Sequence, residues 1–296
     1  MNRRAPRRPG GEPGLTAFVL SGGGSLGAVQ VGMLQALTEA GIRPDFLVGT
    51  SVGAVNAAWL AARPDHDGTL ELGEIWRGLR RHHIFPLSPW SSARGLLGRS
   101  NHLISNANLQ DVLRRNLPYE NLEEAAVPVH VITTELKTGR AVVISCGPAV
   151  PALLASTAIP GIFPPVTIGR RDFIDGGVAN HTPVAAAIEQ GATRIFVLPV
   201  GYPWLRQDAT NALGMALHAL SRFIEQKLDA EVAANRDLAE IHVLPTMEVP
   251  AISPADFSHT PELISKGYRS AQRHLAARSG EPLPVKRLKL AAAQVA

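Results

Sequence analysis

The pentapeptide Gly49-Thr50-Ser51-Val52-Gly53 stands between an apolar run, residues 46–49, and a stretch of helical pattern, VGAVNAAWLAA. A serine flanked by glycines at a strand-to-helix turn is what a hydrolase nucleophile requires. The turn is too tight for side chains on either side, and it lifts the serine oxygen clear of the backbone. The following helix begins there, and its free N–H groups and dipole favour developing negative charge. The chemistry this predicts is attack of Ser51 on an acyl carbonyl, with Gly49 and Gly53 as the residues that permit the elbow. The plainer alternative is a glycine-lined turn in which Ser51 only caps its helix.

A second glycine-rich turn, Gly22-Gly23-Gly24-Ser25-Leu26-Gly27, follows the apolar run at residues 16–20. As Gly22-x-Gly24-x-x-Gly27 it fits a dinucleotide fingerprint. That reading needs an Asp or Glu at the end of the second strand to hold a ribose hydroxyl. Here that strand ends Leu47-Val48-Gly49-Thr50-Ser51, without an acid. The glycines therefore read better as bare backbone N–H donors, Gly22 through Ser25, turned toward an oxyanion. Neighbouring βα turns of a parallel sheet open on the same edge, so loop and serine are expected to face one pocket. Nucleotide phosphate binding and a purely structural turn are the competing readings.

A third feature is Asp175-Gly176-Gly177. An acid followed by two glycines after a strand offers a carboxylate in a tight, open loop, although Asp-Gly pairs are also ordinary turn formers.

The elements that must position these residues follow from the patterning. Val31, Leu34 and Leu37 recur at helical spacing after the first turn, and Gly41 stops that helix. The opening is thus β–turn–α–β–turn–α, the start of a parallel sheet covered by helices. Residues 69–80 read as a helix, and Ser105 or Asn106 caps another through 116. Strands are predicted at 129–136 and 140–145, a short helix over 151–160 ended by Pro160-Gly161, and residues 171–174 lead into Asp175. A helix over 183–191, a strand at 195–200, helix over much of 208–238, a strand at 241–245 and a helix at 261–278 complete the reading. No repeat or linker divides the chain, so one α/β domain is expected over 15–280, between basic arms at 1–14 and 281–296.

With 296 residues and 45% hydrophobic side chains, the chain can bury a large core. Its net charge of +4 is concentrated at the ends. Arg3, Arg4, Arg7 and Arg8 face only Glu12, and Lys286, Arg287 and Lys289 follow the last acid, Glu281. The body between is slightly acidic, which argues against a basic groove for nucleic acid. The arms read as solvated tails, with weak attraction to an anionic membrane as the sharper reading. No run is long enough to span a bilayer, and the N-terminus has no apolar core of a secretory signal. Cys146 is the single cysteine, so an intramolecular disulfide is excluded and the cytoplasm is the default compartment. Cys146 itself is expected to pack at a strand end.

Taken together, the glycine loop, the Ser51 pentapeptide and the Asp-Gly-Gly turn resemble the bacterial patatin-like phospholipases. The stretch Ala155-Ser156-Thr157-Ala158-Ile159-Pro160-Gly161-Ile162-Phe163-Pro164-Pro165 is similar to the family segment preceding its aspartate. Asp175-Gly176-Gly177-Val178, with Asn180 and Pro183, also follows its pattern. The resemblance covers roughly residues 16–200. It implies a three-layer α/β/α fold with a mainly parallel sheet, a Ser51–Asp175 dyad, and an oxyanion hole in the Gly22–Gly24 loop. A lipid or small ester is the implied substrate, and no cofactor or metal is called for. One departure is Leu26, where the family usually carries Arg or Lys. Backbone donors do not depend on that side chain, but preference is expected to drift from phospholipid toward neutral esters.

A histidine base is the alternative to an aspartate. His181 follows Asp175 closely, and His218, His242, His259 and His274 come later, the Ser–Asp–His order of α/β-hydrolases. Only one strand precedes that of Ser51, which argues against that fold. Two apolar segments, 84–104 with Phe85 and Trp90 and the turn 201–205, are candidate lid or membrane-facing elements, or loops packed on the core. A catalytically silent lipid binder and a nucleotide-binding protein are the competing function classes.

Overall fold

The computed structural model describes residues 14–86, 102–201, 226–245 and 252–279. The first apolar run forms β1 (Leu15–Leu20), followed by α1 (Ala28–Glu39), β2 (Phe46–Thr50), α2 (Val52–Ala62) and α3 (His66–Gly78). Next come a single turn, α4 (Arg81–Ile84), then α5 (Ala107–Asn116), β3 (Val129–Glu135), β4 (Ala141–Ile144) and α6 (Ala149–Ser156). The chain continues through β5 (Val166–Ile168), β6 (Arg171–Asp175), α7 (Val184–Glu189) and β7 (Ala192–Leu198). It ends with α8 over 226–235, β8 (Glu240–Val243) and α9 (Thr260–Ser279).

The strands build one sheet in the order β5-β6-β3-β2-β1-β7-β8, with β4 also on β3. The stretch from β3 to β8 is parallel, and β4, β5 and β6 are antiparallel. Both faces are covered, which is why β1 and β2 read as unbroken apolar runs rather than alternating ones. Phe18, Leu20 and Leu47 join the larger core with α1, α2 and α9. Ala17, Val19 and Val48 point the other way, onto α7 and Leu228 of α8. This is the expected three-layer α/β/α architecture. No helix among the described residues is long and apolar enough to cross a membrane.

Register carries the site. Leu20 pairs with Gly49, so β1 and β2 end level with each other and their turns emerge side by side. Thr50 pairs with Ile132 of β3, and the next residue of β3, Thr133, pairs with Asp175. Ser51 and Asp175 therefore leave the sheet at the same level, on either side of β3.

Several local expectations are corrected. The helix predicted over 151–160 occupies Ala149–Ser156, and Thr157 rather than Pro160-Gly161 caps it. The strand β5 and the turn α4 had no sequence signal. Of the two candidate caps for α5, Asn106 occupies the N-cap without a side-chain bond, while the Ser105 hydroxyl accepts from the Ala107 N–H at 3.2 Å. Cys146 is exposed rather than packed. β4 has ended at Ile144, and the chain bends toward Glu123, whose carboxylate accepts from the Gly147 N–H, carrying Cys146 off the sheet. The basic arms 1–13 and 280–296, Trp90, residues 202–225 with His218, and most of the 84–104 segment lie outside the described residues.

Candidate active site

Ser51 is the N-cap of α2 with φ 54° and ψ −124°, and among the described residues it is the single non-glycine with positive φ. A side chain in that region costs about 1–3 kcal/mol and persists only where surroundings enforce it. The enforcement is visible. A β-carbon at Gly49 would lie 2.4 Å from the Gly53 carbonyl oxygen, and one at Gly53 would lie 2.4 Å from that of Leu20. The elbow is thus pressed against the end of β1 with no space for side chains. From the other side the hydroxyl of Ser156, fully buried at the end of α6, accepts from the Ser51 N–H at 2.8 Å.

The Ser51 hydroxyl donates to Oδ2 of Asp175 at 2.6 Å. Oδ1 of the same carboxylate accepts from the Gly177 N–H at 2.7 Å, so Gly177 fixes the plane of the acid. The Asp175 N–H donates to the Ala158 carbonyl, and its carbonyl accepts from the Thr134 hydroxyl. Burial pushes the carboxyl up to about 6, against the lowering effect of the bonds from Ser51 and Gly177.

The glycine loop lies alongside. A β-carbon at Gly22 would approach within 3.4 Å of the Ser51 Cβ and 3.0 Å of the His181 ring. Of the four candidate donors, Gly22 through Ser25, two are engaged: Gly22 N–H donates to the His181 carbonyl at 3.3 Å, and Ser25 N–H to that of Pro254 at 2.8 Å. Among the described residues the N–H groups of Gly23 and Gly24 have no protein acceptor. Leu26, at the position expected to be basic, is buried in the core below the loop.

An apolar slot opens beside Ser51, walled by Val52, Val55 and Trp59 of α2 with Trp76, Phe163 and Phe257. Phe85 stacks on Phe163 with ring centroids 5.4 Å apart. A buried polar chain stiffens the slot and the loop together. Trp76 donates to Asn56, Asn56 donates to Gln30 and to the Gly27 carbonyl, and Gln30 donates to the carbonyls of Ser21 and Leu198. A crevice of about 410 Å³ between α3 and α5, lined by both charged and apolar side chains, among them Glu74, Asp111, Ile75 and Val112, does not include Ser51.

Among the described residues His181 is the one candidate histidine beside this site. Its ring packs between Gly22 and Gly177, and burial, helped by the charge of Lys227, pushes it down to about 4. His242 stacks on Phe196 and meets Glu240, and His259 meets Asp256 and Glu262. His274 belongs to α9. No group of three or more His, Cys, Asp or Glu that could hold a metal occurs among the described residues. Sequence reasoning missed Ser156, Trp59, Trp76, Pro254 and Phe257. The spacing of Val52, Val55 and Trp59 on one helix stripe was a signal for the slot wall. Nothing local marks Ser156 or Pro254.

The sequence profile of the family described as Patatin-like phospholipase matches residues 18–188. An uncharacterized NTE family protein of Mycobacterium bovis is 32% identical over 171 residues, which are 57% of this chain and 44% of that protein. Lysophospholipase NTE1 of Yarrowia lipolytica is 27% identical over 184 residues, 62% of this chain and 12% of that protein. The chain therefore spans less than half the length of these relatives. Among solved structures, human GIVD cytosolic phospholipase A2 superposes with a TM-score of 0.56 at 10% identity, over 90% of this chain and 59% of that one. VipD from Legionella pneumophila gives 0.50 at 18% identity, over 93% and 70%. At these identities the likeness is one of fold.

Proposed function

The chain belongs to the patatin-like phospholipase family, and from that premise we propose that it is a lipid acyl hydrolase cleaving carboxylic esters with Ser51 as nucleophile and Asp175 as base. The single observation that carries the reading is the 2.6 Å hydrogen bond from the Ser51 hydroxyl to a buried Asp175 carboxylate. An ordinary aspartate is a weak base toward a hydroxyl. Burial that pushes Asp175 up to about 6 brings its basicity closer to working pH while leaving it ionised at neutrality.

In the proposed reaction Asp175 takes the Ser51 proton as the oxygen attacks the ester carbonyl. The N–H groups of Gly23 and Gly24 receive the oxyanion, since those of Gly22 and Ser25 are engaged. Collapse of the tetrahedral intermediate breaks the bond to the alcohol, which leaves with the proton held by Asp175. Water then attacks the acyl-serine, Asp175 accepts its proton and returns it to Ser51, and the carboxylic acid departs. The acyl chain occupies the apolar slot. With Leu26 buried where the family usually carries a base, neutral esters are the favoured class, and any contact with a membrane is peripheral. His181, neutral and packed below the loop, supports the Gly22 turn without taking a proton.

The test is covalent. A fluorophosphonate probe is expected to modify Ser51, read by mass spectrometry of the labelled peptide, and Ser51→Ala and Asp175→Asn are each expected to lose p-nitrophenyl butyrate hydrolysis. A folded wild-type protein that stays unlabelled and inert is a silent lipid binder instead. Full activity in either variant removes the dyad.

A further inference from the structure

We propose that the slot beside Ser51 is a ruler that selects esters of medium-length acyl chains, with Trp59 as its far stop; the proposal rests on the ester-hydrolase reading above. Val52, Val55 and Trp59 lie along one stripe of α2 that runs away from Ser51, because residues three and four apart share a helix face. Over the eight residues from Ser51 to Trp59 the helix rises about 12 Å, at ~1.5 Å per residue. An extended chain advances about 1.2 Å per bond, a third of the ~3.6 Å spanned by an extended residue. The stripe therefore matches about ten bonds.

Width points the same way. The slot offers about 60 Å³ to the centres of water-sized spheres, which over the ~12 Å stripe is a thread about 5 Å² in section, the width of one chain and no second. Its walls do not yield. Trp59 is 7% exposed. Trp76 is pinned through its indole N–H to Asn56 at 2.7 Å and stacked on Phe257 at 6.0 Å between ring centroids. Packed aromatic walls with fixed rotamers resist a longer chain, since overfilling such a site forces neighbours off their rotamers. A short chain leaves apolar surface uncovered, and each added methylene gains binding until the stop is reached.

A series of p-nitrophenyl esters from acetate to palmitate, presented at equal mole fraction in mixed micelles, reads the ruler. For the wild-type protein kcat/KM is expected to rise about fourfold per methylene, the equivalent of ~0.8 kcal/mol each. It is expected to peak at about eight to ten carbons and fall beyond. Trp59→Ala moves the peak roughly three carbons longer, the depth of the vacated ring. Because emptying a large buried site can prevent folding, Val55→Phe tests the opposite direction. It places a ring one turn nearer Ser51 and moves the peak to about four to six carbons. Palmitate hydrolysed as well as octanoate by the wild type, or a wild-type profile in Val55→Phe, overturns the ruler while short-ester hydrolysis keeps the enzyme reading. Absence of hydrolysis for every ester, with no probe adduct at Ser51, overturns the enzyme reading and the ruler with it.

Discussion

The backbone N–H of Ser51 donates to the side-chain hydroxyl of Ser156 at 2.8 Å, and that hydroxyl donates onward to the Ile132 carbonyl at 2.6 Å. One buried side chain thus joins the Ser51 turn to β3, the strand between Ser51 and Asp175. Ser156→Ala leaves an amide and a carbonyl buried without partners, at about 1–3 kcal/mol. We expect a lower melting temperature, and kcat about tenfold lower with KM within about twofold, because the loss falls on alignment rather than on substrate contact. Equal changes in both constants would indicate that Ser156 supports packing alone.

In the proposed dyad Asp175 accepts the Ser51 proton only when ionised, and its carboxyl is raised to about 6. The logarithm of kcat/KM is therefore expected to climb with unit slope below that value and to level off by about pH 7. His181, held near 4, adds no ionisation on the neutral side. A pH–rate profile without an inflection between about 5 and 7 would show that another group limits the reaction.

The same two groups act on stability in opposite directions. Asp175 is raised from 3.8 to about 6, so the folded state holds its proton more tightly. That contribution is complete at low pH and is lost as pH rises through 6, at about 3 kcal/mol. His181 is lowered from 6.5 to about 4. Its contribution is present above 6.5 and is lost as pH falls toward 4, again about 3 kcal/mol. Between those limits the slopes nearly cancel. Asp175→Asn removes one of them, so the variant should melt above the wild type at pH 8, with the excess about halved at pH 5 and gone below about pH 4. An equal difference at both pH values would contradict the burial of an ionisable carboxyl there.

Strain at Ser51 is measurable without any substrate. Its φ of 54° is free for glycine and costly for a residue with a β-carbon. Ser51→Gly and Ser51→Ala both remove the hydroxyl, but only the first relieves the backbone. We expect Ser51→Gly to exceed Ser51→Ala by about 1–2 kcal/mol in chemical denaturation, and equal stabilities would mean the elbow stores no strain.

What was legible in the sequence was whatever the backbone encodes locally. Gly49 and Gly53 are dictated by contacts within a few residues of Ser51 or at the end of the adjacent strand, so the pentapeptide between strand and helix located the elbow. Asp175 was weaker as a turn residue and gained its weight from the blocks around it. The partition of the glycine loop was not legible. Ser25 reads like its neighbours, yet its amide is occupied by Pro254, a bond across the whole domain that no local pattern marks. Leu26 likewise reads as a missing cation, whereas its burial makes it part of the floor. The slot needed Trp59, Trp76 and Phe257 from three separate elements, and only packing brings them together. Cys146 was misread because the bend that exposes it depends on Glu123, more than twenty residues earlier.

The contact between Ser25 and Pro254 also orders events in time. The elbow and the Asp175 turn are complete once the chain through β6 has been made, but the carbonyl that fixes the Ser25 amide, and the Phe257 ring that closes the slot, come from residues 252–257. A chain emerging from the ribosome therefore carries the Ser51 turn long before it can shape the loop beside it. Maturation of the site is tied to residues 252–257, made long after the Ser51 turn, so a partly synthesised or clipped chain keeps the serine and lacks the clamp that holds its companion loop.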